Sequence, residues 1–191
     1  MKARALLLLP VALLFGCSRT ESPASRAAEP TAAAPTAVAA PEPTATAQAT
    51  LASASGSKVS GDLQFSAGPG GVAVTGRVTG LPASTLHGFH VHEYGDCSKP
   101  DARSAGEHFN PARVDHGGPS SATRHLGDIP NIEADASGTA AVSATISGAT
   151  LRDGGPNDLV GKAVIVHSKR DDYTTQPSGD SGARIACGVV K

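Results

Sequence analysis

Tryptophan is absent, and four Phe and two Tyr are the only aromatic residues in a chain of 191. Any core must therefore be built from Val, Leu, Ile and Ala with two or three Phe. Cysteine is scarce too: Cys17, Cys97 and Cys187 are too few for a disulfide-stapled scaffold, and an odd count leaves one without a partner in the chain. Neither sign of charge dominates, with 16 basic and 17 acidic groups, which removes the electrostatic case for nucleic acid. No apolar run reaches the ~20 residues that a membrane-spanning helix needs. A Ser-His-Asp elbow, a P-loop and a dinucleotide fingerprint are missing as well. What the chain has in quantity is 22 Gly, 14 Pro and 7 His.

The N-terminus reads as an address. Lys2 and Arg4 form a positive region ahead of the apolar stretch Ala5 to Phe15. As a helix that stretch would reach only ~16 Å, about half a bilayer core, so a signal peptide over residues 1–16 is expected. Leu14-Phe15-Gly16-Cys17 resembles a bacterial lipoprotein cleavage box, which implies lipidation of Cys17 as the new N-terminus. Several acyl chains on one residue anchor firmly where one anchors marginally. From Ser18 to about Ala45 the chain is Ala, Pro, Thr, Ser and Glu, punctuated by Pro23, Pro30, Pro35, Pro41 and Pro43. Proline blocks helix and the apolar bulk is too small to offset ordering entropy, so residues 17–45 are expected to be an anchor plus a disordered tether.

Residues 46–191 read as all-β. Val72-Ala73-Val74-Thr75-Gly76-Arg77-Val78 and Ala140-Ala141-Val142-Ser143-Ala144-Thr145-Ile146 alternate with period two. Turn signals such as Gly68-Pro69-Gly70-Gly71 and Asp153-Gly154-Gly155-Pro156 bound the runs. Strands are predicted near 46–54, 58–66, 72–80, 86–92, 130–135, 139–147, 162–168 and 183–190. About eight strands without helical periodicity suggest a sandwich or barrel. Between Glu93 and about Ile129 lies a long unpatterned loop, and Ser168 to Ala183 is a second irregular stretch. Loops this long in a compact domain are usually functional or disordered.

The histidines carry the chemistry. His90-Val91-His92 places two imidazoles on one face of a strand, able to grip one metal ion. His108, His116, His125 and Asp128 follow in the loop, and His167 closes another strand. Six His and one Asp fall short of two separate four-ligand sets, a shortage that one imidazole bridging two metals would remove. The donor types suit zinc and copper rather than magnesium or calcium. A single histidine is more commonly a surface or core residue, but five lie between His90 and His125, which points to metal binding. His87 alternates onto the opposite face and is expected to be a structural hydrogen-bonder.

The runs Gly88-Phe89-His90-Val91-His92-Glu93, His108-Phe109-Asn110-Pro111, His116-Gly117-Gly118-Pro119, Arg124-His125-Leu126-Gly127-Asp128, Val166-His167 and Gly182-Ala183-Arg184-Ile185-Ala186-Cys187-Gly188-Val189 resemble the copper-zinc superoxide dismutases, most nearly their bacterial envelope branch. The resemblance covers about Thr46 to Val190 and implies an eight-stranded antiparallel Greek-key barrel or sandwich with a long metal-binding loop. It implies copper on His90, His92, His108 and His167, and zinc on His108, His116, His125 and Asp128. Superoxide would be converted to O2 and hydrogen peroxide by Cu(II)/Cu(I) cycling, with zinc structural and His108 bridging. It further implies Asp171 as a carboxylate linking His90 to His116, Arg184 as the residue that docks the superoxide anion, and a disulfide between Cys97 and Cys187.

Pro177 to Ala183 contains Asp180 and no lysine, unlike the eukaryotic pattern, which makes Lys169 and Arg170 the candidates for steering the anion. The expected setting is the bacterial cell envelope, lipid-anchored and facing the periplasm or the cell surface, as a monomer or homodimer. Two other readings are a non-catalytic copper- or zinc-binding protein of this fold and a dinuclear zinc hydrolase. Retention of Arg184 with all four copper ligands favours the dismutase over the first. The second lacks a carboxylate base beside the His-x-His pair.

Overall fold

The computed structural model describes residues 44–191, and the predicted signal peptide, the Cys17 anchor and nearly all of the tether lie outside them. Nine strands follow: β1 (Thr46–Ser53), β2 (Ser60–Gly68), β3 (Gly71–Thr79), β4 (Leu86–His87), β5 (Phe89–His92), β6 (Ile132–Glu133), β7 (Ala140–Ser147), β8 (Ala163–His167) and β9 (Arg184–Val189). Seven make one curled antiparallel sheet in the order β5-β8-β9-β1-β2-β3-β7, and β4 pairs with β6. An Ala134–Ala140 bridge sets the β4–β6 pair beside β7. The fold is the all-β Greek key expected.

Alternation explains which strands face water. In β1, Ala47, Ala49 and Leu51 point inward between exposed neighbours, and Leu63 and Phe65 of β2 and Val72, Val74 and Val78 of β3 do the same. The β2–β3 hairpin closes through Gly68–Gly71, where the sequence carried its turn signal. β5 and β8 are buried along their whole length because they are covered on both faces. Phe89, Val91, Val164 and Val166 enter the barrel core with Phe65 and Phe109. Ala163 and Ile165 pack outward with Ala54, Ala102, Ala105 and Cys187, under the long loop.

The single strand predicted over 86–92 is broken at Gly88. Its first half pairs with β6 and its second with β8, so this segment links the two ends of the sheet order, as strands do when they turn a corner between sheets. The break is made by contacts with residues far along the chain. Gly88 N–H donates to Lys169 O (2.8 Å), its carbonyl accepts from His167 N–H (2.8 Å), and a Cβ there would sit 2.8 Å from Cβ of Ser181. The strand predicted over 130–135 shrinks to Ile132–Glu133 because Asn131 is drawn into side-chain pairing instead.

Cys97 and Cys187 form the expected disulfide, with Cα atoms 5.8 Å apart, inside the ordinary range for such a bridge. It ties the 93–131 loop to β9 on the outer face of the barrel, the face that carries the histidines.

Candidate metal centre

Because Phe89 and Val91 are committed to the core, His90 and His92 must project to the outer face of β5. Two stretches of the long loop run beside that strand through His90–Asp128 and His92–His108 bridges. Val91 N–H donates to Gly127 O (3.0 Å), Phe109 N–H to Val91 O (2.8 Å), and Gly127 N–H to Phe109 O (2.9 Å). Phe109 is buried in the core and acts as the peg of this arrangement, which leaves His108 directed at the metal side. His167 ends β8 at a register shift from Val166, which turns the imidazole toward the same place.

Two donor sets result, each with its ligand atoms within 4.8 Å of one another: His90, His92, His108 and His167, and His108, His116, His125 and Asp128. All seven residues are buried, and only His108 belongs to both sets. The hydrogen bonds divide the imidazole nitrogens accordingly. Nε2–H of His90 donates to Asp171 Oδ2 (2.8 Å), Nδ1–H of His92 to Gly106 O (2.9 Å), and Nε2–H of His116 to Asp171 Oδ1 (3.0 Å). Nδ1 of His167 lies 3.2 Å from Ser181 Oγ. The other nitrogen of each ring, Nδ1 of His90, Nε2 of His92, Nδ1 of His116 and Nε2 of His167, is buried without a hydrogen-bond partner among the described residues, as is Nε2 of His108. Buried polar atoms are rarely left so, and five in one spot are lone pairs held for metal. The donor chemistry fits copper and zinc.

The second set converges on one oxygen. Asp128 Oδ1 lies 2.8 Å from Nδ1 of His108, 3.0 Å from that of His116 and 3.3 Å from that of His125. Its Oδ2 accepts from His125 N–H (2.8 Å) and Gly117 N–H (3.1 Å), which fixes the carboxylate. Burial alone would raise this carboxyl, but the His108 hydrogen bond and the close imidazoles of His116 and His125, with the Gly117 N–H, hold it far below the usual carboxylate range. Burial pushes His92 and His167 well below the ordinary imidazole value, lowers His90, and takes His108 down to about 4. These rings are neutral at pH 7, the form in which imidazole binds a metal. His116 goes the other way: burial opposes its charge, yet the carboxylates of Asp128 and Asp171, one against each ring nitrogen, raise it to about 9.

The supporting residues fall into place around this cluster. Asp171 joins His90 to His116, as the resemblance implied. His87 is no ligand: its Nδ1–H donates to the carbonyl of His167 (2.7 Å), with Thr85 Oγ1 2.7 Å from its Nε2. An open cleft of about 640 Å³ reaches His92, His108 and His167, and Arg184 lines it with Asp101, Arg103 and Glu107. Arg184 Nη1–H donates to Ala102 O (2.9 Å), which holds the guanidinium at the cleft wall. Lys169, a candidate for steering, is instead paired with Asp180 at 3.2 Å, and neither it nor Arg170 lines the cleft. Sequence reasoning missed Arg103 and Glu107 at the mouth, and the amides of Asn131 and Gln176 behind the second set. None of these belongs to a motif, so no local signal marked them.

The sequence model described as copper/zinc superoxide dismutase (SODC) matches residues 59–190. The chain is 42% identical to "Superoxide dismutase [Cu-Zn]" of Onchocerca volvulus, across 71% of this chain and 90% of that one. Among solved structures it is similar to a SOD-like protein from Bacillus subtilis, at 35% identity and a TM-score of 0.67 over 74% of this chain and 96% of that chain. It is also similar to the clock protein EA4, at 35% identity and a TM-score of 0.68 over 80% and 97% of the two chains. With the full set of copper and zinc donors in place, the chain belongs to the copper/zinc superoxide dismutase family.

Proposed function

We propose that this dismutase captures superoxide at Arg184 and acts as a lipid-anchored enzyme of the bacterial cell envelope. The reaction takes two superoxide anions and two protons to one O2 and one hydrogen peroxide. Copper on His90, His92, His108 and His167 supplies the alternating one-electron chemistry, and redox-inert zinc on the other set fixes the loop. The observation that carries the reading is the sharing of His108 between two complete donor sets, beside a cleft that His92, His108 and His167 line together with Arg184.

The protein's own part follows from the geometry. The half-buried Arg184 guanidinium, braced by Ala102 O, offers an anion its remaining N–H donors next to His92 and His108. His108 lines the same cleft, and its buried Nε2 has no hydrogen-bond partner among the described residues, so this nitrogen can hold a proton for an anion docked there. Glu107 Oε1, 4.0 Å from Arg184 Nη2, is the nearest opposing charge. Arg184→Ala should lower kcat/KM for superoxide decay by about 10–100-fold, the worth of a charge-assisted hydrogen bond, with metal content unchanged. Parent-like decay in the variant would remove Arg184 from the mechanism. A fully loaded parent without activity would favour the non-catalytic reading.

The anchor rests on sequence: Lys2 and Arg4, the apolar stretch to Phe15, Cys17 at the box, and the proline-spaced tether. Expressed in a bacterium, the full chain should sediment with membranes and Cys17→Ser should not. A parent that stays soluble refutes the anchor.

A further inference from the structure

We propose that Gln176 is a positioning residue: a side-chain latch between the two covering loops that holds the backbone of His116 and thereby sets how long zinc is retained. The inference rests on the two-metal reading of the site and goes beyond it by naming a control on one metal.

The latch is reciprocal. His116 N–H donates to Gln176 Oε1 (2.8 Å), and Gln176 Nε2–H donates to His116 O (2.9 Å). One primary amide thus satisfies both polar groups of a ligand's backbone, as a neighbouring strand would, across 60 residues of sequence. A second amide does the same for Asp171. Asp171 N–H donates to Asn131 Oδ1 (2.8 Å), and Asn131 Nδ2–H donates to Asp171 O (2.9 Å). Both ends of the hydrogen bond between Asp171 and His116 are therefore held from behind by amide side chains.

The intervening chain closes over that bond. Tyr173 N–H donates to Asp171 Oδ1, and the Tyr173 ring packs so closely on Gly118 that a Cβ there would lie 3.0 Å from it. Gly179 covers the bond itself: a Cβ on it would fall 1.7 Å from Asp171 Oδ1 and 2.9 Å from Nε2 of His116. Among the described residues only Gln176 hydrogen-bonds the His116 backbone. Gln176 is exposed and its side chain hydrogen-bonds only to His116 among the described residues, and His116 belongs to the zinc set alone. Losing the latch should free the His116 backbone and let its Nδ1 swing off the zinc position, while the copper donors stay braced by Asp171, Gly106 and Ser181.

The test uses the fully metal-loaded chain and its Gln176→Ala variant, with zinc and copper release to a chelator followed separately. Zinc release should quicken about tenfold, in line with the loss of an outer partner of a metal ligand. Copper release should stay within twofold. The His116 backbone amide of the metal-free variant should also lose its protection against hydrogen exchange. Equal loosening of both metals, or unchanged zinc release in a folded variant, overturns the proposal. If Gln176→Ala does not fold, Gln176→Glu keeps the acceptor for His116 N–H but loses the donor to its carbonyl. Intermediate zinc retention in that variant supports the latch, and parent-like retention overturns it. A parent chain that binds no zinc would instead refute the two-metal reading.

Discussion

Breaking the Cys97–Cys187 bridge should cost both stability and reaction rate, and the size of each effect can be worked out. The bridge spans 90 residues. In the chain-entropy account, closing that loop removes freedom from the unfolded chain worth about 4.6 kcal/mol at 25 °C. With an unfolding entropy of about 2.1 cal/mol/K per residue over about 150 residues, the midpoint should fall by up to about 15 °C. The variant of choice is Cys97→Ala with Cys187→Ala, since Cys187 packs against Ala102, Ala105 and Ile165 and a serine hydroxyl would be buried there without need. Calorimetry of this variant should be set beside the parent reduced by a thiol, which keeps both sulfurs. If loop closure dominates, the two midpoints fall together; if packing dominates, only the alanine variant falls. The rate effect has a separate origin. Ala102, five residues beyond Cys97, supplies the carbonyl that holds Arg184, so a loosened loop should lower kcat/KM even where the protein remains folded. A midpoint drop below about 3 °C in both forms would refute the entropic argument, and an unchanged rate in the folded variant would refute the coupling to Arg184.

Two further outcomes follow from the site. His108→Ala deletes the only residue present in both donor sets, so adding or removing zinc should no longer perturb the copper EPR spectrum, and superoxide decay should slow. A copper spectrum that matches the parent's and still responds to zinc would refute the bridge. The metal-free protein should be most stable near neutrality. His90, His92, His108 and His167 have folded values below 6.5, so their contribution is full above that pH and is lost as pH falls from it. His116 is raised, so its contribution is full below 6.5 and is lost as pH rises through about 9. Four groups oppose one, which makes the acid side the steeper; urea midpoints across pH measure it, and a flat acid limb would contradict the burial argument. Metal occupancy, by excluding protons from the same nitrogens, should move the acid limb to lower pH.

What could be read from the sequence depended on whether the cause was local. β3 and β7 were predictable because one-faced strands must alternate, and β8 because a strand covered on both faces reads as a continuous apolar run. The break at Gly88 was not, since it comes from close approach to Ser181, far along the chain. The same contrast holds within the site. A metal needs imidazole and carboxylate donors, scarce residue types whose clustering between His90 and Asp128 stands out in any composition. The Cys97–Cys187 pairing and the role of Asp171 were legible only through family resemblance, because partners 90, 81 and 55 residues away leave no trace in spacing. Backbone bracing asks only for an amide at the right distance, and Asn131 and Gln176 look like any other polar loop residues. His87 lies between these cases. Alternation kept it out of the ligand set and suggested a structural hydrogen bond, yet it could not show that the acceptor is the carbonyl of His167. Ligand types are thus legible from sequence, whereas the groups that aim the ligands become visible only once the fold brings distant segments together.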